Sequence, residues 1–232
     1  MKDIQPLQLS DVHFWTFDVE KHLKNLEVFR AVLTKGEVVQ SQKFKFDADR
    51  ERYILAHGFK RYVLAHYLDI DPVEIVFFTG PQGKPYIKDS DIQFNLSHSS
   101  NRVVLGISKN TEIGVDVECT KKKTDFLPIA KRFFNENEYK NLNTLKESEL
   151  AKGFYKAWTG KEAYIKALGE GLVLSLNTFE VDVMPEEPAK LLFSEKGNAE
   201  DWEMRTIHLS DDYIAAIATQ QNVNHWLLYD YE

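Results

Sequence analysis

The segment Phe154–Leu172, FYKAWTGKEAYIKALGEGL, reads as a helix with one apolar face. At roughly 100° per residue, Phe154, Ala157, Trp158, Ile165 and Leu168 fall on a single stripe. Lys161 rises from the middle of that stripe, where an ammonium requires a partner or a route to water. Glu162 and Lys166 stand four apart at the stripe's edge and face the same way. Gly160 costs about 1 kcal/mol relative to alanine in a helix interior, which predicts a close approach to the backbone at that point. Gly169 and Gly171 end the helix in the left-handed geometry that glycine permits. A Glu–Lys pair at this spacing is equally what a solvated surface pair looks like, so its meaning depends on what the rest of the chain supplies.

Upstream, IGVDVE (Ile113–Glu118) alternates as a strand, with Ile113, Val115 and Val117 on one face and Gly114, Asp116 and Glu118 on the other. In water the repulsion between the two carboxylates signifies nothing. In a cleft, at an effective dielectric near 20 and a separation of about 5 Å, it reaches about 3 kcal/mol and calls for a proton or a cation. A few oxygen ligands of this kind suit Mg²⁺, which completes its shell with water and phosphate oxygens; a solvated strand face is the competing reading. Further upstream, Ile92, Phe94 and Leu96 alternate into FNLSHS, which places Ser97 and His98 just past a strand end. A hydroxyl there donates to phosphate, and an imidazole donates or titrates near neutrality. The chain has no Walker loop, GxGxxG, CxxC or HExxH motif.

Around these motifs the expected order is a strand over Val12–Val19, a short helix over Lys21–Leu33, and a long helix over Asp49–Leu68 capped by Asp47 or Asp49. Lys43, Lys45, Arg50 and Arg52 form a basic patch beside that helix's start, suited either to an anion or to solvent. A strand over Val73–Phe78 precedes the turn-rich GPQGKPYI, which holds Lys84 between Gly83 and Pro85. Val103–Ser108 follows as a strand, and Lys109–Thr111 is expected to close a hairpin into IGVDVE. After Lys121–Lys123 come a helix over Arg132–Leu145, the segment quoted first, and strands near Thr178–Val183, Trp202–Leu209 and Tyr213–Thr219. TFDVE at Thr16 matches GVDVE at Gly114, and GFKRYVLAHYL at Gly58 resembles TGKEAYIKALG at Thr159. These repeats predict an α+β fold of two similar, pseudo-duplicated lobes, residues 1–110 and 111–232. Each lobe is a long helix on a mainly antiparallel sheet, with the active site in the cleft between them.

The net charge of −7 (29 − 36) argues against a general nucleic-acid or membrane-surface binder. A single cysteine, Cys119, excludes an internal disulfide. With no apolar leader at the N-terminus and no long apolar run, a cytoplasmic protein is expected.

GKP, FNLSHS, IGVDVE, RFFNENEY and WTGKEAYIKALGEGL, in this order and spacing, resemble the 4′-phosphopantetheinyl transferases of the two-lobed monomeric type named for the surfactin synthetase activator. The likeness spans roughly Arg50–Leu172. It implies transfer of the phosphopantetheine arm of coenzyme A to a serine of an apo acyl or peptidyl carrier protein, with release of adenosine 3′,5′-bisphosphate. It implies further that Asp116, Glu118 and Glu162 hold Mg²⁺, and that Glu162 also accepts the serine proton. Lys166 and Lys161 would face the pyrophosphate, Ser97 and His98 would clasp the phosphates, and Lys84 and Arg52 (or Arg50) would meet the nucleotide end. The carrier is expected on Lys121–Phe134, KKKTDFLPIAKRFF. Two other functions would use the same groups: a metal-dependent nucleotide pyrophosphohydrolase, and a silent binder of coenzyme A or carrier protein.

Overall fold

Strand alternation and two long amphipathic helices build four stacked layers. The computed structural model describes residues 4–121, 124–220 and 223–232. From the N-terminus, β1 (Asp11–Asp18), α1 (Val19–His22), α2 (Leu26–Ala31) and α3 (Lys35–Ser41) lead to the long helix α4 (Asp47–Leu68). A hairpin of β2 (Phe77–Thr79) and β3 (Pro85–Ile87) precedes β4 (Ile92–Ser99), β5 (Arg102–Lys109) and β6 (Ile113–Cys119). Then come α5 (Phe126–Phe133), α6 (Glu136–Leu142) and the second long helix, α7 (Glu147–Leu168). The chain finishes with β7 (Phe179–Val181), β8 (Leu191–Ser194), β9 (Trp202–Ser210), β10 (Tyr213–Gln220) and β11 (His225–Asp230).

One sheet runs β11-β1-β5-β4 and the other β6-β10-β9. Trp15 and Phe17 of β1 pack under α4 with Val103, Leu105 and Ile107 of β5. The alternate residues Val12, Phe14 and Val104 meet Ile113, Val115, Val117, Ala215 and Ile217 between the sheets. Ile214, Ala216 and Ala218 of β10 then face α7 through Phe154, Ala157, Ala163 and Ala167. The layers are therefore α4, sheet, sheet, α7. Phe14 is fully buried between the two sheets, a placement that contributes roughly 1.5–3 kcal/mol.

The duplication is closer than the sequence matches suggest. Both long helices have 22 residues, start 100 apart (147 − 47) and end on left-handed residues, Asp69 and Gly169. Before each lies a short helix opened by a capping box, Thr34 with Glu37 and Asn135 with Glu138, again in step (138 − 37 = 101).

Several expectations are corrected. Lys109–Thr111 does not close a hairpin, because β6 pairs with β10 and the chain changes sheet at that point. The β4 strand runs on through Ser99, so Ser97 and His98 lie on a strand. Lys21–Leu33 is broken into short turns, Val73 sits in a 3₁₀ turn, and Arg132–Leu145 is interrupted at Phe134, where the backbone is extended and Asn135 opens α6. Asp47 and Asp49 do not cap α4. They lie in its first turn and pair with Arg50 and Arg52, where their charge still complements the helix dipole. Finally, β11 belongs to residues 111–232 but pairs in parallel with β1. There Tyr229 stacks on Trp15, and Tyr231 joins Phe17, Phe29 and Phe59.

Candidate functional site

The site is built where β6 lies against α7 along a glycine. At Gly114 a Cβ would collide with the Ala163 carbonyl and the Ala167 amide, so this strand and helix touch backbone to backbone. The face that carries Gly114 also carries Asp116 and Glu118, and this contact brings them to the side of α7 that carries Glu162 and Lys166.

The seam between β4 and β6 has no backbone ladder. Side chains bridge it instead, at the strand period of two. Val115 N donates to Asn95 Oδ1 (2.9 Å), Ser97 Oγ to Asp116 Oδ1 (2.8 Å) and Ser99 Oγ to Glu118 Oε2 (2.9 Å), while Cys119 N donates to Ser99 Oγ (3.1 Å). Lys166 Nζ donates to Asp116 Oδ1 at 2.6 Å and to Ser97 Oγ at 3.0 Å. Asp116 is 5% exposed, and among the described residues its buried Oδ2 finds no hydrogen-bond partner. Such an orphaned atom in a native site calls for a bound water, an ion or a catalytic role.

Glu162 faces this cluster. Burial first, then the negative charges of Asp116 and Glu118, push its carboxyl pKa above the ordinary range, with Lys166 opposing them. Among the described residues, however, no group of three or more His, Cys, Asp or Glu side chains stands in a ligating arrangement. One Asp116 oxygen is engaged by the Lys166 ammonium and the Ser97 hydroxyl.

Because β4 alternates, His98 projects to the face opposite Ser97, toward α4. Desolvation of the ring, then the charges of Arg52 and Lys166, hold its pKa below the usual value, which leaves a neutral imidazole at pH 7. Arg52 is on this side, paired with Asp49; Arg50 pairs with Asp47 further out. Lys84 bridges the lobes at the end of α7, donating to Glu112 Oε2 at 2.6 Å and to the Ala167 carbonyl at 2.8 Å. A cation suits the negative end of that helix.

Lys161 is not brought to the site. It is fully buried beneath α7, paired at 2.7 Å with an equally buried Glu138, and it donates to the Phe179 carbonyl at 2.7 Å. Its aliphatic stem and the Phe179 ring complete the enclosure, with the ammonium 4.1 Å from the ring centroid. Gly160 is likewise explained without a ligand, since a Cβ there would sit 3.2 Å from the Met204 methyl. Lys121 pairs with Asp212, and Lys122 and Lys123 lie outside the described residues.

Asn95, Ser99 and Glu138 were not singled out from the sequence. The first two were detectable as the polar partners of Ser97 at period two, and Glu138 as the third residue after a capping asparagine.

Residues 112–218 match the family model described as the 4′-phosphopantetheinyl transferase superfamily, and residues 20–110 match one described as 4′-phosphopantetheinyl transferase, N-terminal. The chain is 34% identical over 215 residues to 4′-phosphopantetheinyl transferase HetI of Nostoc sp., covering 90% of this chain and 88% of that protein. It is 33% identical over 204 residues to a putative 4′-phosphopantetheinyl transferase of Synechocystis sp., covering 86% of this chain and 79% of that one. Against 4′-phosphopantetheinyl transferase Sfp of Bacillus subtilis the identity is 35% over 156 residues, 67% of this chain and 68% of the relative.

Proposed function

Because the chain belongs to the 4′-phosphopantetheinyl transferase superfamily, we propose that it moves the 4′-phosphopantetheine arm of coenzyme A onto a serine of an apo carrier protein. The serine Oγ–phosphorus bond forms at the β-phosphate, the bond from that phosphorus to the bridging oxygen breaks, and adenosine 3′,5′-bisphosphate leaves. The observation that carries this reading is the buried Oδ2 of Asp116, which has no hydrogen-bond partner among the described residues, beside the Glu162 carboxylate that feels the charges of Asp116 and Glu118. That donor set fits Mg²⁺, and Asp116, Glu118 and Glu162 would hold it. When bound, the ion neutralises pyrophosphate charge as a Lewis acid.

The chain's own groups do the rest. Glu162 accepts the serine proton, its raised pKa bringing it closer to the working pH. Lys166 exchanges its hold on Asp116 for a pyrophosphate oxygen and stabilises the charge on the departing bisphosphate. Ser97 turns its one hydroxyl proton from Asp116 to a phosphate oxygen. His98, neutral, and Arg52 meet the nucleotide's phosphates from the α4 side, and Lys84 approaches from the end of α7.

For the carrier we assign Lys121–Phe134, which includes α5. Lys131, Arg132 and Phe133 are exposed there, and carrier proteins are typically acidic, so a local basic patch steers them despite the overall negative charge. Both lobes of one chain contribute side chains, so on this reading the protein acts as a monomer. We assign it to the cytoplasm, consistent with its free Cys119; among the described residues no helix is long and apolar enough to cross a membrane.

Incubation of the protein with coenzyme A, Mg²⁺ and an apo carrier protein, read by intact mass, tests the proposal. Phosphopantetheine added to the carrier is expected. Free phosphopantetheine with unmodified carrier would indicate a pyrophosphohydrolase, and no change a binder.

A further inference from the structure

The capping-box glutamates recur in both lobes and do the same thing twice. In the first lobe Glu37 opens α3 and turns its carboxylate under α4, where Arg61 meets it at 2.8 Å and Lys60 at 3.9 Å. Arg61 also donates to the Pro72 and Ile75 carbonyls, and Lys60 lies 4.0 Å from the Phe77 ring centroid. In the second lobe Glu138 opens α6 and turns under α7 to Lys161, which donates to the Phe179 carbonyl and lies over the Phe179 ring. The glutamates are 101 apart (138 − 37) and the lysines are 101 apart (161 − 60). Each device joins three elements: the short helix, the long helix, and the chain that follows the long helix.

In the second lobe the bonds from Glu138 to Lys161 and Val181, and from Lys161 to Phe179, are buried. Glu138 also accepts from Val181 N at 2.7 Å and from Asn135 N at 2.8 Å. Burial pushes the Glu138 carboxyl up and draws Lys161 down to about 8, so neither group is held there cheaply. A buried ion pair is a poor source of stability compared with apolar packing, and its better-attested use is to fix one arrangement among several. On a helix, adjacent residues point about 100° apart. Fixing Lys161 toward Glu138 and Phe179 therefore fixes which way Glu162 points.

We propose that Lys161 and Glu138 are a positioning pair for Glu162: they set the rotation of α7 that turns Glu162 toward Asp116 and Glu118, and they touch no part of the diphosphate. This rests on the reading of Asp116, Glu118 and Glu162 as the Mg²⁺ ligands.

Two variants and two readouts test it. Glu138→Gln removes charge at a site with no access to the cleft, and the double variant Glu138→Met with Lys161→Met replaces the pair by apolar side chains that keep the core filled but cannot make the directional bonds. Each is followed by the Mg²⁺-dependent rise in melting temperature, without substrate turnover, and by the KM for coenzyme A and the Mg²⁺ half-saturation of transfer. Both variants are expected to need about tenfold more Mg²⁺ in the melting and transfer measurements, with the KM for coenzyme A within about twofold of wild type. Wild-type Mg²⁺ dependence in the folded double variant would overturn the inference, as would a raised KM for coenzyme A with unchanged Mg²⁺ dependence. A wild-type protein whose melting does not respond to Mg²⁺ would also overturn it. A wild type that responds to Mg²⁺ but transfers nothing would instead count against the transferase reading, and the melting arm would still decide the role of the pair.

Discussion

The motif Asp-Val-Glu occurs at the end of β1, as Asp18 and Glu20, and again in β6, as Asp116 and Glu118, and the two copies have opposite fates. Asp18 is the last residue of β1 and caps α1, accepting from the amides of Glu20 and Lys21, and its second oxygen meets Arg102 at 3.1 Å. Glu20 points outward and is met by Asn101. Asp116 stays within its strand, buried, with one oxygen shared by Lys166 and Ser97 and the other without a hydrogen-bond partner among the described residues. The difference comes from the residue two positions earlier and from the helix opposite. Gly114 lets β6 press against the α7 backbone; at the equivalent position Thr16 carries a side chain that bonds Asp230 of β11. On α7 the position after the buried lysine is Glu162, and on α4 it is Arg61, which turns inward to Glu37. A carboxylate pair becomes a site only where a bare backbone and a facing acid converge on it.

The largest expected effect separates the two copies outright. Asp116→Ala and Glu162→Gln should each lower transfer turnover by at least about 100-fold. Asp18→Asn should leave turnover within about threefold and lower stability by about 1 kcal/mol through its cap. Equal losses from Asp18→Asn and Asp116→Ala would break the comparison.

Next in size is the backbone contact. Gly114→Ala should destabilise the fold by about 3 kcal/mol, since neither the Ala163 carbonyl nor the Ala167 amide has room to yield. Thr16→Ala should cost about 1 kcal/mol, the hydrogen bond to Asp230. Denaturant unfolding with unchanged slope measures both.

Smaller again, Ser97→Ala should reduce turnover about tenfold by releasing Asp116 from one of its two donors. Full activity would assign the hydroxyl to the seam alone.

The smallest effect is one of pH. Glu162 has a raised pKa in the folded protein, so its contribution to stability is fully present below the unfolded carboxylate value and is lost as pH rises through the folded one. Without divalent ions, Glu162→Gln should therefore melt a few degrees above wild type at pH 7. The two proteins should converge as pH falls below about 4. A variant less stable than wild type at pH 7 would show that the acids do not repel one another.

Much of this was legible from residue types. The alternation of IGVDVE assigned Asp116 and Glu118 to one face, and the pattern of α7 placed Glu162 and Lys166 together at its edge. The internal matches at Thr16 and Gly58 pointed to two α+β lobes. What failed did so where tertiary contacts override local pattern. The resemblance alone implied that Lys161 faces the pyrophosphate; the apolar stripe required only a partner for its ammonium, and that partner lies 23 residues away (161 − 138) on another helix. The Lys109–Thr111 turn had hairpin chemistry, with Asn110 in the left-handed region, yet the flanking strands bury their faces in different sheets. The last strand, HWLLYD, carries no turn signal in the sequence, because its pairing with β1 is parallel and long-range.

Calorimetric titration of Mg²⁺ in the presence of coenzyme A tests most directly whether Asp116, Glu118 and Glu162 converge on one divalent ion. The account predicts one ion per chain in the wild type, binding undiminished in Asp18→Asn, and binding lost in Asp116→Ala and in Glu162→Gln. Wild-type Mg²⁺ binding in either of the last two would contradict it.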